Sequence, residues 1–265
     1  MPTLPFISDI NLEKAISHVT NSLNDADSFK TSVIFNIKND TIFKSDLFSN
    51  SLDPFAMVFG LELCGQENWL RTEVLRQLYK TYEQKIGEFH QLILGSVDGW
   101  KDLGIGDNSK VDLVKEDKSI FIELKNKYNT CNSDALAKVQ DKLVKVLKEN
   151  EMAKAYWGFI VPSTVARSGS TNWRKRVKET QPDGTKMAII HNGLYKAWGS
   201  EVYKIVTGDS DNLKRLYDVL PGEISGIMDD RINFIDIANE ITEECTDHLD
   251  QIREEIYEYS FVKKK

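Results

Sequence analysis

The chain has 265 residues and a mass of 30.3 kDa, enough for one large domain or two modest ones. With 41% hydrophobic and 28% charged residues it can bury a real core, which argues against intrinsic disorder and against a fibrous repeat. Three scattered cysteines and four histidines, none at metal-type spacing, argue against a disulfide framework and against zinc chemistry.

No run approaches the length of an apolar membrane span, and the start MPTLPFISDI has no basic-then-apolar leader. A soluble, cytoplasmic protein with no membrane segment is therefore expected. The net charge of −7 conceals a pattern. Residues 1–109 sum to −6, residues 110–186 to +6 and residues 187–265 to −7. A basic middle segment between acidic flanks offers a local surface for a polyanion that the average charge hides.

In chain order, Ser8 caps a helix over residues 9–24, and Asp53-Pro54 opens a short apolar helix that stops near Cys64-Gly65. Residues 67–94 carry Leu70, Val74, Leu78, Tyr82, Ile86, Phe89 and Ile93 three or four apart, a long amphipathic helix stopped by Gly95. The period then changes. Val111–Val114 and Ser119–Lys125 form a hairpin around the polar turn Lys115–Lys118. Asn132 or Ser133 caps a helix to about Lys148, with an apolar stripe and an opposite side of Lys138, Lys142, Lys145 and Lys148. Ala155–Val161 is a nearly continuous apolar run, as expected of a buried central strand. A polar loop over 163–172 leads to Trp173-Arg-Lys-Arg176, either a flexible, ligand-ordered loop or a surface loop ending in a basic helix start, and Met187–Ile190 is a further strand. The rest reads as helical, ending in a long acidic helix over 234–258. The expected fold class is α/β, a small mixed central sheet flanked by helices, in a single domain over 1–265. Its helical N-terminal part spans 1–95, its sheet core and polyanion-contacting loops 96–200, and its helical C-terminal part 201–265.

The chemistry concentrates in VDLVKEDKSIFIELKNK, residues 111–127. Alternation along the second strand puts Ile120, Ile122 and Leu124 on one face and Phe121, Glu123 and Lys125 on the other. Asp112, on the hairpin partner, then lies near Glu123. Two carboxylates meeting at an oxygen-rich position suit a hard dication such as Mg²⁺. A lysine beside it can hold the attacking water and offset transition-state charge. Glu83-Gln-Lys85 and Glu116-Asp-Lys118 share the bare Glu-x-Lys pattern, but the first is mid-helix, where i and i+2 diverge, and the second sits in the hairpin turn.

At these residues the chain resembles the PD-(D/E)XK nuclease superfamily, with Val111 where that superfamily's loosely kept proline stands. GEFHQLILGSVDGW (87–100), GIG (104–106), IELKNKYNT (122–130) and VTGDSDNLKRLYDVLP (206–221) are similar to SinI-like Type II restriction endonucleases, over roughly residues 85–225. The resemblance implies a nuclease core and cleavage of double-stranded DNA at a short palindromic site of GG(N)CC type. It also implies a homodimer, Mg²⁺ and 5′-phosphate products. Carried onto this chain, Asp112, Glu123 and the Leu124 carbonyl would ligate metal, Lys125 would serve the water, and Glu88 would be a further catalytic acid. His90 beside it is expected to be structural, and Asp98 and Asp107 are alternatives to Asp112. Arg167, Arg174 and Arg176 are candidates for reading guanine, since arginine can bond O6 and N7 together. Lys127, Lys138, Lys142 and Lys175 are candidates for phosphates. Asn129 and Thr130 are expected to touch DNA, whereas capping alone accounts for Asn132. Two other readings share these residues: a repair or junction nuclease of the same superfamily, and a non-catalytic binding module in which Asp112, Glu123 and Lys125 form a structural ion-pair cluster.

Overall fold

Capping chemistry sets several helix boundaries where the sequence places them. In the computed structural model, which describes residues 2–39, 41, 47, 52–104, 111–164, 169–178, 185–228 and 233–262, the Asp53 carboxylate accepts from the Phe55 and Ala56 amides. It thereby opens α2 (Pro54–Cys64), which follows α1 (Asp9–Lys38). Gly65, at φ 78°, ends α2 in a conformation that suits glycine, and α3 (Gln66–Gly95) begins at once. Ser8 does cap α1, through Asn11, but α1 continues well past residue 24.

The strands are β1 (Trp100–Asp102), β2 (Leu113–Lys115), β3 (Ile120–Lys127), β4 (Lys154–Val161), β5 (Gly169–Asn172), β6 (Arg174–Lys178), β7 (Thr185–Ile189) and β8 (Leu194–Trp198). Six of them form a mixed sheet in the order β1-β2-β3-β4-β8-β5. The β2–β3 hairpin is antiparallel; β3, β4 and β8 run parallel; β5 returns antiparallel on β8. Between β3 and β4 runs α4 (Ser133–Glu149), capped by the Asn132 side chain on the Ala135 amide. It lays Val139, Leu143, Val146 and Leu147 against Phe121, Trp157 and Phe159. The opposite face is covered by α5 (Ser200–Thr207), and the fit there is close. A methyl group at Gly158 would stand 3.3 Å from Val202 and 3.4 Å from Ile122 and Leu124. After α5 come α6 (Asn212–Ile227), α7 (Phe234–Cys245) and α8 (Leu249–Phe261).

Three expectations are corrected here. Trp173–Arg176 does not start a helix; Arg174–Lys178 is β6, paired with β7 in a separate two-stranded ribbon. Leu194–Trp198 is a strand inside a region read as helical, and its Leu194 and Ala197 are fully buried. The C-terminal helix is two helices, broken at the short 3₁₀ turn Thr246–His248. The described residues divide into two compact units. Met1–Ser17 and Ile86–Ile227 form one compact unit, which contains the sheet, and His18–Lys85 with Met228–Lys265 form another. The second unit is helical, with a core that joins Val33, Leu70 and Val74 to Ile237, Ile241 and Ile252. Among the described residues no helix is long and apolar enough to cross a membrane.

In the sheet unit the His90 ring accepts or donates one hydrogen bond, to the hydroxyl of Tyr203, at 2.9 Å. Burial holds the His90 pKa down to about 4, below its ordinary 6.5. The unfolded chain therefore takes up this proton as pH drops below about 6.5, while the folded chain resists until about 4. Neutral His90 contributes stability that is full above pH 6.5 and is lost between 6.5 and 4. Wild type should lose roughly 3 kcal/mol more than His90→Gln over this window. Denaturant melts at pH 7 and pH 4.5 check this, and parallel pH profiles would overturn it.

Candidate active site

The β2–β3 hairpin brings the acids together. Asp112 is held on both sides by its backbone: its amide donates to the Ile122 carbonyl (3.2 Å) and its carbonyl accepts from the Leu103 amide (3.0 Å). Its carboxylate reaches across the hairpin and accepts from the Leu124 amide at 2.6 Å. On β3, Glu123 and Lys125 share a face, as alternation requires, and Lys125 Nζ donates to Glu123 Oε1 at 2.9 Å. The same ammonium stands 3.7 Å from Asp112 Oδ2. Neither competing Glu-x-Lys pattern has such a setting. Glu83 and Lys85 are in the middle of α3, and Glu116–Lys118 is the hairpin turn, with Lys118 at φ 57°.

Glu123 is only 3% exposed and is the most buried acid in the sheet unit's described residues. Its second oxygen, Oε2, is held by the ammonium of Lys142, which reaches down from α4. Two lysines thus face two carboxylates in a partly dry setting. Burial and the neighbouring Glu123 charge both raise the Asp112 pKa, outweighing Lys125, the Leu124 amide and Lys142. For Lys125, burial alone would favour the neutral amine, but Asp112 and Glu123 overcome it and the pKa is raised. In this arrangement Lys125 is a charged hydrogen-bond donor rather than a base.

Other candidates divide by position. Glu88 is half-buried on α3, and among the described residues no group of three His, Cys, Asp or Glu side chains is placed to hold a metal. Asn129 and Thr130 are exposed just beyond β3, where Thr130 donates to the Lys127 carbonyl; Lys127 is half-buried at the strand end. Lys138 is exposed on α4, whereas Lys142 is engaged with Glu123 and does not lie on the solvated side with it. Arg174 and Lys175 are exposed on β6, and backbone register puts positions 174 and 176 on one ribbon face, with 175 on the other. Arg167 and Asp107 lie outside the described residues.

Sequence reasoning did not single out the neighbours of Glu123 across the sheet. In register beside it stand Trp157 and then Lys196. Trp157 stacks on Trp173 at 4.6 Å between ring centres, and the Lys196 ammonium lies 4.9 Å from both rings. Trp173 also bonds by its backbone to Leu194 and Ile190, which pins the base of the β6–β7 ribbon to the sheet. The signal for Lys142 was legible: at 100° per residue it lies about 40° from the buried Val146, nearer the apolar stripe than the other lysines of its helix.

A mixed sheet flanked by helices, with an Asp at one strand of a hairpin and Glu-x-Lys on the other, is a nuclease core. The comparisons agree. The chain belongs to the Eco47II restriction endonuclease family, whose model matches residues 4–229. Over 192 residues it is 36% identical to the Type II restriction enzyme Eco47II of Escherichia coli, covering 69% of this chain and 76% of that enzyme. Over 177 residues it is 29% identical to the Type II restriction enzyme Sau96I of Staphylococcus aureus, covering 66% of each. The chain is thus an enzyme of the Type II restriction endonuclease class.

The raised Asp112 pKa has a consequence for stability. A carboxyl whose folded pKa lies above its unfolded one favours folding in its neutral form, and that contribution is lost as pH rises through the folded pKa. At neutral pH the charged Asp112 therefore costs stability. Asp112→Asn keeps an oxygen for the Leu124 amide and removes the charge, so it should melt higher than wild type in metal-free buffer at pH 7.5. The gap should narrow toward pH 4. A lower melting temperature at pH 7.5 would contradict the charge crowding described here.

Proposed function

We propose that this protein cuts double-stranded DNA at a short palindromic site of GG(N)CC type, using Mg²⁺ and leaving 5′-phosphate ends. The observation that carries this is the meeting of Asp112, Glu123 and Lys125 on one hairpin, with Lys125 Nζ 2.9 Å from Glu123 and 3.7 Å from Asp112. The donor set fits a hard dication, because two carboxylates are held at one place and the Asp112 anion is penalised by burial and by its neighbour's charge. Asp112, Glu123 and the Leu124 carbonyl would hold it. Bound there, Mg²⁺ supplies polarisation of the scissile phosphate and a water acidic enough to attack at neutral pH. Lys125, charged and anchored by both acids, orients that water and offsets charge as it builds on the phosphate oxygens. Glu88, on α3, would act as an additional acid.

The GG(N)CC specificity rests on the likeness around IELKNKYNT and on chemistry suited to guanine. A two-stranded ribbon fits the major groove, and β6 and β7 present positions 174 and 176 on one of its faces. Arg174 and Arg176, with Arg167 before the ribbon, are the proposed guanine readers. Lys127, Lys138 and Lys175 would meet phosphates, and Asn129 and Thr130 would approach the duplex from the end of β3. A palindrome has two-fold symmetry and two strands to cut, so a homodimer with one site per subunit matches it.

Plasmid digestion with Mg²⁺ tests the whole reading: discrete, reproducible fragments are expected, whereas cuts only at junctions or no cuts would sink it. Asp112→Ala, Glu123→Ala and Lys125→Ala should each lower cleavage by at least about 10³-fold while binding of the cognate duplex persists. Glu83→Ala and Glu116→Ala should cleave like wild type. Recognition has a separate test. On duplex DNA the log–log salt slope is near −0.9 per phosphate contact. Lys138→Ala should flatten the slope by about one contact and weaken all sequences alike, while Arg174→Ala or Arg176→Ala should lose roughly 1–3 kcal/mol of preference for the cognate site. Retained preference in both arginine variants would place readout elsewhere.

A further inference from the structure

The Glu123 side chain is 5% exposed, and each of its oxygens is held by an ammonium: Oε1 by Lys125 and Oε2 by Lys142. The two lysines differ in what anchors them. Lys125 stands two residues along the same strand and also approaches Asp112, so it serves both carboxylates from one rigid stretch of backbone. Lys142 arrives from α4, nineteen residues further on, along a flexible four-carbon stem whose side chain keeps 21% exposure. A dication at Glu123 and an ammonium on Oε2 would repel each other at short range with little solvent between them. Moving Lys125 aside would strip both acids of a partner; moving Lys142 aside costs Glu123 one contact, and the arriving cation restores it.

We infer that Lys142 is a positioning residue, a built-in counter-cation that holds Glu123 Oε2 in the metal-free protein and yields it when a divalent cation binds. This rests on the reading of Asp112 and Glu123 as a divalent-cation site. It accounts for how a carboxylate can wait in an apolar wall, charged and oriented, before its cation arrives. It also gives Lys142 a duty distinct from the phosphate contact suggested by its place on a lysine-rich helix.

The experiment titrates Mn²⁺ into the full-length protein without DNA, following the EPR signal of the free ion. Lys142→Gln should bind Mn²⁺ on the order of tenfold more tightly than wild type, because a competing charge is gone. It should also melt lower than wild type without metal, with the gap closing as Mn²⁺ is added. Lys142→Arg, which keeps the charge, should bind Mn²⁺ as wild type does. In a Glu123→Gln background, where the pair no longer exists, Lys142→Gln should no longer lower the metal-free melting temperature and should raise the weak Mn²⁺ affinity by much less than it does in the wild-type background. Equal Mn²⁺ affinity in wild type and Lys142→Gln would overturn the inference while leaving the metal site standing. No Mn²⁺ binding by either protein would overturn the metal reading, and the inference with it. A flatter salt slope for DNA binding in Lys142→Gln, with unchanged Mn²⁺ affinity, would show a phosphate contact instead and likewise overturn it.

Discussion

A carboxylate built into an apolar wall has to be matched by positive charge, and the burial of Glu123 sets that demand for the whole sheet. Moving an unpaired carboxylate out of water costs several kcal/mol even after relaxation. The chain meets this with one lysine from the same strand and one from the crossover helix, and it ties the neighbouring Asp112 to a backbone amide. The arrangement also locks register. A slip of one residue in β3 would turn Glu123 and Lys125 toward Val202 and Gly158 and put Ile122 among the charges.

The same helix that supplies Lys142 also supplies much of the hydrophobic cover. The parallel pairing of β3 with β4 requires a crossover, and α4 is that crossover, so its apolar stripe and its half-buried lysine arrive together. Because α5 closes the other face, β4 is buried on both sides from Ala155 to Ile160. At Gly158 the strand and α5 approach too closely for any larger side chain to fit without displacement. The Asp112–Glu123–Lys125 cluster is therefore set against a closely packed part of the sheet, where side chains have little freedom to drift.

Charge is distributed to match. The acidic flanks of the sequence are largely helical, while the basic middle segment runs through the hairpin, α4 and the β6–β7 ribbon. A ribbon of this kind is hard to order by itself, since two strands alone are marginal in water. Here Trp173 ties it down, stacked on Trp157 and bonded to Leu194 and Ile190. The aromatic pair and Lys196 thus link a basic, exposed arm to the row of the sheet that holds Glu123.

Much of the site was legible in the sequence because strand alternation is a local property. The side-chain period of two places Glu123 beside Lys125 and opposite Ile122 whatever the rest of the chain does, and a four-residue turn brings Asp112 back to them. The Asp53 and Asn132 caps and the β4 run were legible for the same reason: each depends on residues within a few positions. Tertiary structure decided what depends on neighbours far along the chain. Leu194–Trp198 has no strand pattern long enough to stand out, and it is a strand because β4 offers it an open edge. Arg174–Lys178 carries charges that suit a helix start as well as a strand, and pairing with Thr185–Ile189 settles the choice. Lys142 stands closer to the apolar stripe of its helix than the other lysines there, but only the packing of α4 on β3 sets a buried carboxylate beneath it, and that neighbour is encoded in no single segment.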